Sequence, residues 1–314
     1  MDRELLSARQ LCTAALAGGL SWAGVQAGRM DWRWGLAALA AGVALGWLLL
    51  RRAERKTLFQ GPGGKVLTVL YAGWGVMLLA CVLRRAAGRI IQTGGSEAGW
   101  GWILLLLALP LVWIGLGKCA AFFRLAELLW LAIAVIAAVL ILLMLPKTEW
   151  KRLLVPAGSW LDSAMGMAQI LTAGLYTLPH IYKVRQEERS RAGSLTWLTA
   201  LGAVSVLLSA LTAGVLGPAL TAQLRDPFFA GISVLGRTAR LEGLASALWL
   251  LPDLVLAGLL AQSWGRKPFP AVAVAVACGL AMAGIPRMIS PTAMGIGGLT
   301  LVILTLILPV GREK

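Results

Sequence analysis

The sequence predicts an all-α polytopic membrane protein with about ten transmembrane helices, arranged as a five-plus-five inverted repeat whose first and sixth helices are broken. Three observations predict it. The chain of 314 residues is 59% hydrophobic and only 14% charged, with a mean hydropathy of +0.79, whereas an average soluble domain is roughly a quarter charged. Its apolar runs have the length of bilayer crossings, about 20 residues each. Its basic residues sit in short groups between those runs, where they hold cytoplasmic loops against anionic lipid. No length remains for a separate soluble domain, so residues 1–314 read as one membrane domain.

Ten apolar runs, bounded by charge, Pro and Gly, follow in order: 10–27, 34–50, 66–83, 100–116 and 125–145, then 160–182, 195–216, 241–260, 270–285 and 289–310. The first five end near Pro156, which divides the chain into repeats 1–156 and 157–314. An odd number of crossings per half inserts the second half upside down relative to the first, as in many inverted-repeat membrane folds. With both termini cytoplasmic, more of the 29 Lys and Arg fall on the cytoplasmic side. The densest groups there are Arg51, Arg52, Arg55, Lys56 and Lys65, and Lys183, Arg185, Arg189 and Arg191. The polar segment 1–9 leads directly into the multispanning pattern, which argues against a cleaved signal peptide.

A formal charge of +15 would point to nucleic acid in a soluble chain. Here no basic, aromatic-interleaved surface remains once the spans are removed, so no nucleic-acid partner is expected. Cys12, Cys81, Cys119 and Cys278 are scattered without metal-type spacing and read as small core residues. Trp32, Trp34, Trp100, Trp102, Trp150 and Trp160 flank spans as an interfacial belt. The chain has no HExxH, no phosphate-binding glycine loop with its lysine and no close acidic pair within a span. No enzyme activity, catalytic residue, cofactor or metal is expected.

Candidate site residues follow from the breaks and the buried charge. The first span carries Gly18, Gly19 and Gly24, and the sixth carries Gly166, Gly174 and Pro179. A break at membrane depth is tolerated where the freed backbone groups line a cavity, although glycine also marks close helix packing. The cavity reading places Gly18, Gly19 and Gly166 around a central ligand site with Ser21, Gln169 and Thr172 in its walls. Asp253 follows Pro252 in an apolar stretch. A carboxylate there costs on the order of 3 kcal/mol, so it must face the bundle interior, as an ion- or proton-coupling group or as a structural one. Arg124 with Glu127, and Arg240 with Glu242, read as structural ion pairs at helix ends. His180, the one histidine, reads as a packing residue beside Pro179. The 217–240 loop, with Phe228 and Phe229, reads as a lid or as an interfacial helix.

Several short runs occur in a characteristic order. Leu6-Ser7-Ala8-Arg9-Gln10 opens the first span, Lys56-Thr57-Leu58 precedes the third, and Arg124-Leu125-Ala126-Glu127 opens the fifth. Leu145-Pro146, Leu154 and Pro156 follow, then Gly217-Pro218-Ala219-Leu220-Thr221-Ala222, Pro227, Arg240-Leu241-Glu242 and Trp249. In this order they resemble the endospore germination permeases, the membrane-embedded B subunits of spore germinant receptors, which are related to the amino acid, polyamine and organocation transporters. The resemblance implies a small amino acid or similar nutrient as ligand, germinant-receptor A and C subunits as partners, and the inner spore membrane as location. An autonomous amino acid transporter of the same fold and a ligand-silent scaffold subunit are the alternatives.

Overall fold

A computed structural model describes residues 5–59, 61–94, 99–156, 158–185, 188, 196–224, 227–235, 240–264, 268–308 and 311–312. Helices α1 (Ala8–Gln26), α2 (Trp32–Arg55), α3 (Gly61–Gly94), α4 (Trp100–Leu116) and α5 (Cys119–Met144) fill the first half. The second half holds α6 (Trp160–Leu175), α7 (Thr196–Leu216), the short α8 (Pro218–Gln223) and α9 (Pro227–Leu235), α10 (Arg240–Leu248) and α11 (Leu250–Ser263). It closes with α12 (Phe269–Met282), the single turn α13 (Ile285–Met288) and α14 (Pro291–Ile307). Among the described residues, five helical stretches are long and apolar enough to cross a bilayer: Trp32–Ala53, Gly61–Gln92, Cys119–Lys147, Thr196–Leu216 and Ala245–Ser263. The chain is an all-α polytopic membrane protein.

Hydrogen bonds between connections sort them onto two faces. On one face, Leu6 bridges Val184, with the Leu6 amide 2.8 Å from the Lys183 carbonyl. The Ala8 amide donates to Glu188 Oε2 at 2.8 Å, and the Tyr182 hydroxyl donates to the Ala53 carbonyl at 2.6 Å. There also β1 (Lys56–Thr57) pairs antiparallel with β2 (Gly311–Arg312). On the other face Trp32 Nε1 donates to the Leu153 carbonyl, the Asp31 amide to Ser163 Oγ, and the Glu149 amide to the Gly214 carbonyl. Both chain ends therefore share a face with the α2–α3 and α6–α7 connections, as alternate crossing requires. Lys183 and Lys151 are exposed on opposite faces. In a variant lacking the four native cysteines, Lys183→Cys and Lys151→Cys should label with an impermeant thiol reagent from opposite sides. Reaction of both from one side would overturn this arrangement.

Counted over the ten expected crossings, three packing contacts recur five apart. The α1–α5 contact corresponds to α6–α14, α1–α7 to α6–α2, and α3–α12 to α11–α4. Helices α1 and α6 lie side by side at the centre. The N-terminus of α1 is closed by a capping box, in which the Gln10 amide donates to Ser7 Oγ and the Ser7 amide to the Gln10 side chain.

The expectation of a broken first helix needs correction, while the interruption of the sixth span holds at Pro179. Helix α1 runs unbroken from Ala8 to Gln26. Its glycines admit neighbouring helices: a Cβ would meet Leu259 at 3.0 Å from Gly18, Leu201 at 2.2 Å from Gly19 and Trp249 at 2.8 Å from Gly24. Close packing, not an opened backbone, is their role. The sixth span is interrupted, but beyond Leu175 and not at Gly166, where the chain turns into a 3₁₀ segment, Leu178–Lys183. Pro179 opens that segment and has no amide to continue the α-helical ladder.

Candidate functional site: a buried ion-pair centre

Helix α3 continues past the expected end at Leu83 to Gly94. It carries Arg85 and Arg89 one turn apart, and therefore on one face. That face meets α11, where Asp253 is only 1% exposed. Arg85 Nη2 donates to Asp253 Oδ1 and Arg89 Nη1 to Oδ2, each at 2.6 Å. Ser21 Oγ, about 20 Å along α1 from its start, donates to Asp253 Oδ1 at 2.6 Å and accepts from Arg85. One carboxylate thus ties together α1, α3 and α11.

Aromatic rings enclose the two guanidinium groups. Arg85 lies 4.7 Å from the Trp22 ring and Arg89 4.5 Å from the Phe229 ring, where the ring faces attract cations in a low-dielectric setting. Phe229 belongs to α9, which packs Phe228 and Phe229 on Trp249. The apolar pair of the 217–240 loop therefore covers the ion-pair centre. Gly217, at φ +87°, redirects the chain out of α7 into α8, a conformation that a side chain would strain. The expectation that Asp253 faces the interior holds. Its partners are two arginines, not carbonyls freed by Pro252.

A second polar contact lies on the seam between α1 and α6. The Gln26 side-chain amide donates to Gln169 Oε1, and a Cβ on Gly166 would stand 3.2 Å from Gln26 Oε1. The Ser209 hydroxyl lies 3.5 Å from the Gln26 carbonyl. The structure therefore brings Gly166 and Gln169 together with Gln26, and places Ser21 in the ion-pair centre. It separates the rest of the expected set. Gly18 faces α11, Gly19 faces α7, and Thr172 donates to the Ala168 carbonyl beside Gly298 of α14.

The expected ion pairs rearrange. Glu127 pairs with Arg9 at 2.8 Å, and Arg124 is exposed. The contact between α1 and α5 brings Arg9 to Glu127, where the helix spacing alone had suggested Arg124. Arg9 is 80% exposed in its side chain, so Glu127→Gln should change stability by less than about 1 kcal/mol. Arg240 and Glu242 open α10, and their side chains lie outside the described residues. His180 is buried against Phe123 with Cys119 Sγ 3.6 Å away, which is packing as expected.

Arg85, Arg89 and Gln26 are the site residues that sequence reading missed. A signal for the arginines was present, since a carboxylate in an apolar span needs a cationic partner. Two arginines four apart beside another span supply it.

No protein-family model matches the chain, and no curated protein matches it. Among solved structures, the chain is similar to the crystal structure of MhsT in complex with L-phenylalanine, at 14% identity and a TM-score of 0.46. The match covers 96% of this chain and 79% of that one.

Proposed function

We propose that the chain is a solute-recognising membrane protein of permease type, acting as the transmembrane subunit of a spore germinant receptor. The observation that carries the solute-recognising part is the polar seam along α1. A bundle needed only for anchorage gains nothing from burying Asp253 with two arginines and a Gln26–Gln169 pair, because such groups are costly at membrane depth. The receptor part rests on the ordered sequence resemblance. Two of its runs meet in space, since Arg9 of the first pairs with Glu127 of the third.

In this reading the halves 1–156 and 157–314 are inverted repeats, and the recurrence of packing partners at five crossings supports them. A small amino acid or similar nutrient binds on the α1–α6 seam near Gly166 and Gln169. Its arrival shifts α1 against α3 and α11, and the Ser21–Asp253 contact transmits the shift. Asp253 is then the coupling residue through its ion pairs. The termini are cytoplasmic in the inner spore membrane: with Arg85 and Arg89 buried in the bundle, the basic excess on the face of the termini exceeds the sequence expectation. A and C subunits are the expected partners.

The test has two arms. A tagged chain isolated from spore membranes should bring down a soluble-domain partner and a lipoprotein. In nanodiscs the purified chain should bind one of the standard L-amino acids saturably, and Gln169→Leu should abolish that binding. Co-isolation with binding and no uptake into proteoliposomes is the expected result. Concentrative uptake without partners would establish an autonomous transporter instead, and co-isolation without any binding would establish a ligand-silent scaffold.

A further inference from the structure

Away from the polar seam, a crevice of about 200 Å³ lies between α2, α6, α7 and α14. Its walls include Ala38 and Ala41 of α2, Ala168 and Leu171 of α6, and Leu299 and Val302 of α14. Thr172 supplies the one hydroxyl among the lining residues, and that group is already spent on the Ala168 carbonyl. An occupant therefore gains nothing from polar groups inside the crevice and must be hydrocarbon there. Along α2 the lining runs from Ala38 to Leu49, about 16 Å at the rise of an α-helix. That matches one leaflet of a hydrocarbon core about 30 Å thick.

The end of the crevice has a different chemistry. Its α2 positions recur every three or four residues through Leu49, and Arg52 continues that face one turn further on. Arg52 donates through Nη2 to the carbonyl of Leu308, just beyond α14. Its buried Nε has no acceptor among the described residues. This end lies toward the face where β1 and β2 pair, since β1 follows α2 directly and Leu308 leads into β2. An apolar slot one leaflet long thus has Arg52 one turn beyond it on the same helix face, with an unused donor.

We propose that this crevice is a binding site for an anionic phospholipid, with one acyl chain between α2, α6 and α14 and the headgroup phosphate at Arg52. The length selects an acyl chain and Arg52 selects the negative headgroup. The site is independent of solute recognition on the α1–α6 seam.

The experiment uses the full chain, purified in mild detergent from membranes containing phosphatidylglycerol and phosphatidylcholine, with retained lipid identified by mass spectrometry. Wild type should retain phosphatidylglycerol in preference to phosphatidylcholine. Arg52→Gln should lower that preference about fivefold while some lipid is still retained. Ala41→Phe, at a position exposed to the slot, should expel both lipids, and Ala168→Phe on the facing wall repeats the test if the first variant does not fold. Retention of the two lipids in their bulk ratio by wild type would overturn the proposal. So would unchanged retention in a folded Phe variant, and recovery of a free fatty acid in place of phospholipid would overturn the assigned headgroup.

Discussion

Asp253→Asn is expected to destabilise the folded protein by about 3–5 kcal/mol, the cost of removing one partner from a buried ion pair. Asparagine preserves size and one acceptor oxygen but removes the charge that Arg85 and Arg89 meet at 2.6 Å. Thermal unfolding in detergent should show a large drop in midpoint, and Asp253→Leu should behave no better. Adding Arg85→Gln to Asp253→Asn should recover part of the loss, because one fewer buried cation then lacks its acceptor. A silent Asp253→Asn would mean that the ion pairs contribute nothing to the fold, and would return the residue to a plain packing role.

Gly295→Ala on α14 should be strongly damaging for a single added methyl group. A Cβ there would stand 2.6 Å from Met165 Cβ, 2.7 Å from the Met165 carbonyl oxygen and 2.8 Å from its Cα. Two of these are backbone atoms of α6, so relief requires the helices to separate along a principal contact of the bundle. Overpacking of this kind costs about 1–3 kcal/mol, and Gly295→Leu should prevent assembly. Gly279→Ala on α12 provides the control, since nothing lies within 4 Å of its Cβ position. Alanine should be neutral or slightly stabilising there through its higher helix propensity. Equal melting points for the two alanine variants would show that α6 and α14 do not meet as closely as described.

Much of the architecture is legible because hydropathy is a local property. An apolar run of bilayer length must be helical and must cross, since lipid satisfies no backbone amide. Alternate crossing then places connections on two faces, and the bridges Leu6–Val184 and β1–β2 lie where that alternation requires. The inward orientation of Asp253 follows from desolvation alone. The site was less legible. A row of glycines has the same local pattern in a broken helix and in a tightly packed one, and only the position of Leu201 and Trp249 against α1 distinguishes them.

The chain's own sequence therefore determined its membrane class, the order of its crossings and the need to hide one carboxylate. Which cations hide it was decided by the tertiary structure, because Arg85 and Arg89 stand more than 160 positions from Asp253 and meet it only when α3 packs on α11. The same holds for Glu127, which takes Arg9 of another helix and not Arg124 of its own. Burial and apolar length are set residue by residue, whereas an ion pair depends on the rotation and depth of two helices against each other, and packing fixes those.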